Sequence, residues 1–247
     1  MRRILFALLV VLVVAIAVVA LAPASLIDSM LADRTRGALH LADAAGTLRS
    51  GRGVLSDNSG TLRLPIAWHV ALVPLLRGEL EIVLDPEGDS ARPKGVLTRR
   101  DGTLAVSGLE IHAPASSLRV LLPLTAPPLG GDLKVSAPDF QWGDRAPTGQ
   151  IDAQWSSANI AIADATVALG DVRVVAMPEG RALRGTFDNR GGDVAVRGEF
   201  TLADVLDVSA SLTPAPGAPA DVLRVLAALG PPDANGVVRL AWHGRVR

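Results

Sequence analysis

The side chains best suited to catalysis or metal binding are few and scattered along the chain. No pair among the histidines has metal-ligand spacing, and no His-Glu-x-x-His motif occurs. The chain has no cysteine, which excludes thiolate ligands and disulfides. It also lacks a Gly-x-Ser-x-Gly elbow and a glycine-rich phosphate loop ending in Gly-Lys-Ser/Thr. We therefore expect no catalytic, cofactor-binding or metal site, and no enzyme. The four histidines are His40, His69, His112 and His243.

Two sets of residues contain side chains that could act as acids or bases. Ala-Trp-His occurs at 67–69 and again at 241–243. Successive side chains of a β-strand point to opposite faces, so each copy is predicted to place its tryptophan in the core and its histidine on the surface. Asp132, Asp152 and Asp193 fall on predicted wet strand faces, where a solvated carboxylate is the ordinary case. Neither set of residues indicates an active site.

Composition narrows the possible partners. There are 24 basic and 25 acidic side chains and the net charge is −1, so neither a nucleic-acid surface nor a polybasic membrane patch is indicated. Four tryptophans, four phenylalanines and no tyrosine make a stacking surface for sugars or bases improbable. The 24 glycines and 17 prolines indicate many turns between short elements.

The elements that position these residues are predicted mainly as strands. A glycine, a second residue and then apolar residues at alternate positions recur through the chain, which is typical of antiparallel sheets with one apolar face. Hairpin turns are expected at Asp101-Gly102 and at 189–192. We predict a curved antiparallel sheet or a sandwich. The repeats are Gly102–Gly108, Gly131–Ser136, Gly149–Trp155, Gly170–Val175, Gly192–Gly198 and Gly236–Trp242.

The same alternation predicts which large side chains face the core. Trp68, Trp155 and Trp242 each fall on the apolar register of a strand, so all three are expected to be buried. With middling valines and few aromatics, two such apolar faces could pack as a dry sandwich about 10 Å apart. The alternative is an open groove that holds an acyl chain.

Beyond the apolar start of the chain, which predicts a single transmembrane helix, helical signals are confined to three short segments. In 24–38, Ser25 and Asp28 match a capping pair and Gly37 is the expected stop. The residues expected to share its apolar face pack either on the following domain or against the membrane surface. A second helix is predicted over 219–229, and one or two helical turns over 115–122. The apolar faces contain Leu26, Ile27, Met30 and Leu31 in the first helix and Val222, Leu226 and Leu229 in the second.

The start of the chain predicts a membrane anchor. Residues 4–22 are apolar without exception and follow Arg2 and Arg3. About 20 apolar residues span a bilayer, and the arginines favour the cytoplasmic side. The competing interpretation is a signal peptide cleaved near Ala22. The expected domains are a cytoplasmic start and anchor over 1–23, a connecting helix over 24–38, and a periplasmic β domain over 39–247.

A series of short motifs connects the chain to a known family. Their order resembles the type II secretion system protein N family, also called general secretion pathway protein N. The resemblance covers nearly the whole chain, with one departure: Arg49 stands where the family usually has tryptophan. The motifs are Ala22–Leu26, Gly46-Thr47-Leu48-Arg49-Ser50-Gly51, Ala67-Trp68, Leu75–Leu80, Leu226–Gly230 and Gly236–Leu240.

The resemblance implies a non-enzymatic accessory subunit of the inner membrane. Such a subunit helps to export folded proteins from the periplasm through the outer-membrane secretin. The implied partners are other inner-membrane secretion subunits, the secretin, and the inner membrane itself through residues 4–22. The alternative function is a periplasmic lipid-binding or lipid-transfer protein that uses an apolar β groove.

Overall fold

The structure is a computed structural model that describes most of the chain beyond the apolar N-terminal stretch. The predicted anchor over 4–22 lies outside the described residues except for Ala22. Among the residues described, no helix is both long and apolar enough to cross a membrane. The described ranges are 22–58, 60, 62–85, 92–120, 127–143, 147–162 and 164–244.

The chain divides into two compact units, Met1–Thr98 and Arg99–Arg247. In the first unit the strands lie side by side in chain order from β1 to β5. Consecutive strands from β1 to β4 pair in the antiparallel sense. Its elements are α1 (Ser25–Thr35), β1 (Leu39–Gly46), β2 (Ser50–Asp57), β3 (Arg63–Val70), α2 (Leu72–Leu75), β4 (Leu80–Leu84) and β5 (Lys94–Arg100), of which β5 extends two residues past the division.

The second unit is also an antiparallel sheet with strands in chain order, except that the short β8 pairs only with β7 and leaves β7 beside β9. Its elements are β6 (Thr103–Pro114), a 3₁₀ helix (Ala115–Val120), β7 (Leu129–Trp142), β8 (Thr148–Gly149), β9 (Ile151–Ile162), β10 (Ala165–Glu179), β11 (Ala182–Arg190), β12 (Val194–Leu202), β13 (Leu206–Pro214), α3 (Ala220–Leu229) and β14 (Val238–Gly244).

The predicted antiparallel β architecture is therefore confirmed. The turn residues Gly191 and Gly192 connect β11 to β12 with φ of 77° and 80°. Asp101 and Gly102 also have positive φ, the conformation that short hairpin turns favour. The strands of each unit form one sheet with a helix on its apolar face, which supports the single-sheet alternative over the sandwich.

Two of the repeated glycines lie inside strands, although the repeat predicts them at strand starts. Gly131 (φ 98°) and Gly170 (φ 71°) occupy positions where the pairing register shifts in β7 and β10. A bulge absorbs one extra residue, and a positive φ makes glycine the favoured residue there. In β10 the buried side chains consequently change from odd to even positions, from Val167 and Leu169 to Val172. The apolar face is thus continuous through the bulge.

In the first unit, α1 packs on the sheet through one side only. Ile27 and Leu31 pack against a core that includes Leu41 and Trp68. Leu26 and Met30 are 44% and 64% exposed, so the predicted four-residue apolar face is wrong for those two. Of the two alternatives for this helix, packing on the following domain is the one that the structure shows.

The predicted capping pair of α1 is also wrong. Ala24 is the N-cap residue, no side chain caps the helix, and Ser25 is already its first helical residue. The Asp28 carboxylate instead accepts a hydrogen bond from the backbone N–H of Leu41 at 2.8 Å. The aspartate thus joins α1 to the outer edge of β1.

In the second unit, α3 covers one end of the apolar sheet face. Val222 is fully buried and Leu226 is 5% exposed, as the sequence predicts. They pack in one cluster with Val172, Val194 and Val238 of three different strands. Leu229, predicted to share this face, is 43% exposed because it is the last residue of the helix.

Removing the side chain of Leu226 should destabilise the second unit. We expect Leu226→Ala to lower the free energy of unfolding by about 2–5 kcal/mol, since it leaves a cavity under α3. Leu223→Ala is the matched control: Leu223 lies on the same helix and is 45% exposed, so a change within about 0.5 kcal/mol is expected. Urea unfolding of the two variants measures the difference, and equal losses would contradict the packing of α3.

Candidate interaction surface

The structure keeps the histidines apart from one another. In the ranges that the structure covers, no group of three histidine, aspartate or glutamate side chains could hold a metal ion. His40 lies beside Asp28, with 3.7 Å between Nδ1 and Oδ1. His243 contacts Asp207, its cross-strand neighbour on β13. Both contacts are exposed or half-exposed, and they form no clustered site.

The three aspartates singled out in the sequence are also separate. Asp132 is exposed on β7. Asp152 accepts a hydrogen bond from Gln150 at 2.6 Å and lies 3.7 Å from the Arg173 guanidinium. Asp193 is half-buried and exchanges two bonds with Ala168: its carboxylate accepts from the Ala168 N–H at 3.1 Å, and its own N–H donates back at 2.7 Å. Asp193 thus fastens the start of β12 to β10.

The Gly46–Gly51 motif supports the buried Trp68. Trp68 is 5% exposed and its indole N–H donates to the Leu48 carbonyl at 3.1 Å. Gly51 pairs with Trp68 across the strands, and a Cβ on Gly51 would lie 2.5 Å from the ring. Arg49 is exposed at the turn, and its carbonyl accepts from the Val70 N–H at 2.6 Å. The motif therefore has a structural role in the first unit.

The predicted burial of the other two tryptophans is only partly correct. Trp155 is half-buried against the cluster under α3, and its indole N–H donates to the Gly130 carbonyl at 2.9 Å. Trp242 is 51% exposed, so the prediction of a buried side chain is wrong there.

The register of Trp242 was nevertheless predicted correctly. It pairs with Val208, and it lies on the same strand face as the buried Val238, four residues and about 13 Å along the strand. The cluster under α3 includes Val238 but does not extend to Trp242. Trp242 also belongs to the last strand of the sheet, so no further strand is described beside it.

The exposed ring of Trp242 lies along its own strand. It lies against Gly244, where a Cβ would come within 2.5 Å of the indole. Exposed aromatic side chains are common anchors for protein–protein contacts.

We define the β14 edge as the side of Val238–Gly244 that faces away from β13. The opposite side pairs with β13 over seven residue pairs without a register shift. Among the described residues no strand pairs with the β14 edge. Such an edge presents unpaired backbone N–H and C=O groups at alternate residues.

The outer edge of β1, by comparison, is occupied. The Leu39 N–H donates to the Thr35 hydroxyl at 3.1 Å, and the Leu41 N–H donates to Asp28. A register shift between Ala42 and Ala45 further interrupts this edge. Cover by a neighbouring helix and a β-bulge both protect a sheet edge. Among the described residues, β14 has neither.

The polar face of β14 carries basic groups at the edge. The Arg239 side chain is 80% exposed and lies 3.4 Å from the Asp233 carboxylate. That carboxylate accepts the backbone N–H groups of Val237 and Asn235, and these bonds lower the pKa of Asp233. The backbone already stabilises its negative charge, so the aspartate does not depend on Arg239.

A shallow groove of about 350 Å³ runs over the polar face from β11 to β14. Arg184 in this groove donates to Glu199 at 3.2 Å and to Glu179 at 3.3 Å, and these bonds raise its pKa. The Asp207 and His243 pair lines the same groove. Its charged groups are mutually paired.

The family model of type II secretion system protein N matches residues 37–241. The chain belongs to this family. The match confirms the resemblance seen in the sequence and covers Gly46–Gly51, α3 and β14 up to Ala241. Trp242 follows the last matched residue. Neither the curated proteins nor the solved structures include a match. Membership in the protein N family indicates a type II secretion component, and hence a place in the bacterial envelope.

Truncating two tryptophans of this protein N family member should have very different effects. Trp68→Ala is expected to lower the free energy of unfolding by about 3–5 kcal/mol because it empties the first core. Trp242→Ala should cost less than about 1 kcal/mol, since half of the ring is already in water. Thermal melts of the two variants compare them directly. A large loss in Trp242→Ala would show that the indole is buried.

Proposed function

We propose that the chain is a non-enzymatic accessory subunit of the type II secretion system in the bacterial inner membrane. It helps to export folded proteins from the periplasm through the outer-membrane secretin. The observation that carries the proposal is the family match over residues 37–241. The separation of the histidines and aspartates in the described structure is consistent with a role in binding.

The proposed topology has a single span. Arg2 and Arg3 stay in the cytoplasm, residues 1–23 form the start and anchor, and 24–38 connect to a periplasmic β domain over 39–247. The apolar run of residues 4–22 and the preceding arginines support it. The partners are other inner-membrane secretion subunits and the secretin. The exposed surfaces for such contacts are the β14 edge and the outer side of α3.

Removing the gene should reduce secretion of type II substrates, and the wild-type chain supplied in trans should restore it. We expect substrate to accumulate in the periplasm of the deletion strain, measured as the ratio of periplasmic to extracellular enzyme activity. Undiminished secretion would overturn the function. A reporter active only in the periplasm, fused after Arg247, tests the topology in the same strain. Release of the fusion as a soluble periplasmic protein would exclude the anchor.

A lipid-handling role is the second candidate. The apolar row that contains Trp242 extends past the cluster under α3 and includes Ala176, Phe200 and Val208. An acyl chain could lie along such a row. Trp242 is the exposed end of this row, at 51%, whereas Ala176 is only 4% exposed.

Native mass spectrometry separates the two candidates. For the secretion subunit we expect bare protein when residues 24–247, which include α1, are purified without detergent, because α1 covers the core of the first unit and α3 covers that of the second. Stoichiometric phospholipid on the purified fragment would move the function to lipid handling. Leu226→Ala is the control, since opening the core should expose apolar surface and increase adventitious lipid binding.

A further inference from the structure

The β14 edge differs from the other described outer edge in a way that bears on binding. The β1 edge has its amides bonded to Thr35 and Asp28 and is interrupted by a register shift. β14 is regular over its whole length, contains no proline, and carries the half-exposed indole of Trp242. An edge without such protection is a template for one more strand.

The chemistry of this edge specifies an extended polypeptide as the occupant. Backbone donors and acceptors that alternate along a strand are satisfied as a set only by another extended backbone. A lipid chain offers neither donors nor acceptors. The side chains of the added strand would be placed directly opposite those of β14, on the same two faces.

The side chains of β14 then select the sequence of the added strand. On the apolar face the strand would lie beside Leu240 and Trp242, which favours two apolar residues separated by one position. On the polar face it would lie beside Arg239 and His243. The 80% exposed Arg239 favours an acidic residue opposite it, whereas the ring of His243 already contacts Asp207. The small Ala241 between them sets no requirement.

The charge of Arg239 also argues against a second copy of the chain as the occupant. β14 contains no acidic residue, so the β14 strand of a second copy offers no carboxylate opposite Arg239 in any register. The edge is therefore suited to a different chain.

We propose that the β14 edge binds an extended segment of a partner protein, which adds to the sheet as a strand and has two apolar residues separated by one position, with an acidic residue directly beside one of them. Parallel addition places the acidic residue before the apolar pair, and antiparallel addition places it after the pair. This inference rests on the proposed function, since it specifies the kind of segment that a secretion partner would contribute.

The test attaches the segment to the full chain, purified in detergent. A flexible linker of about 15 glycine and serine residues after Arg247 carries Glu-Val-Thr-Val-Glu. A short tether of this kind gives an effective concentration in about the millimolar range, so weak strand addition becomes visible. The matched control carries Lys-Val-Thr-Val-Lys on the same linker. Hydrogen exchange by mass spectrometry follows the amides of residues 238–244.

With the acidic segment, we expect the outward amides of β14 to exchange about tenfold more slowly than in the chain without extension. The lysine segment should give little protection. Trp242→Ala should remove most of the protection, whereas Trp142→Ala, which truncates a 37% exposed tryptophan on β7, should retain it. Unchanged exchange in β13 shows that each variant is folded.

Equal exchange with and without the acidic segment would overturn the proposal. Equal protection by the acidic and lysine segments would overturn the charge pattern, and protection that survives Trp242→Ala would overturn the role of the indole. Protection in the unextended chain that increases with protein concentration would assign the edge to a second copy. These failures are distinct from failure of the proposed function, because the secretion assay uses the untagged chain and does not depend on the segment.

Discussion

The structure of the second unit depends on how far a single helix can cover an apolar sheet face. Each strand has one apolar side that must be removed from water, and α3 does this with Val222 and Leu226 against valines of β10, β12 and β14. Past the helix, glycines allow aromatic rings to lie flat over the neighbouring strand. Phe187 covers Gly198, and Phe200 covers Gly185 in the same manner. The face is thus closed by a helix at one end and partly by its own rings at the other.

Coverage by one helix works only if the apolar residues of successive strands stay in line. A shift of one residue would turn the apolar set of a strand toward solvent. The bulges at Gly131 and Gly170 keep the apolar side chains of β7 and β10 on the apolar face of the sheet. Asn189 fixes the neighbouring hairpin: its side chain accepts from the Val196 N–H at 2.6 Å and donates to the Val194 carbonyl at 2.7 Å. The polar side chain lies among valines, where its hydrogen bonds offset its desolvation.

Alternation of side chains was enough to predict the antiparallel strands and the register of the tryptophans, and helical periodicity predicted the buried Val222 and Leu226 of α3. Neither pattern could predict exposure, since this depends on where a helix ends over the sheet. Val238 and Trp242 have the same register, yet the first is 2% and the second 51% exposed. Local patterns also misled where a tertiary partner was available: Asp28 matched a helix cap in sequence, but in the fold the edge amide of Leu41 uses its carboxylate. Gly170 could not be told from a strand start in the sequence, because glycine is favoured both in turns and in bulges, where φ is positive.

The difference between the two outer edges follows from the order of the elements along the chain. α1 precedes β1 directly, so its side chains can reach the first strand and bond to its outward amides. α3 precedes β14, but it is committed to the apolar face because Val222 and Leu226 leave water only there. One helix of ten residues cannot both fill the face and shield the edge. Stabilising the core of the second unit therefore leaves the last described strand open, with the exposed indole of Trp242 on it.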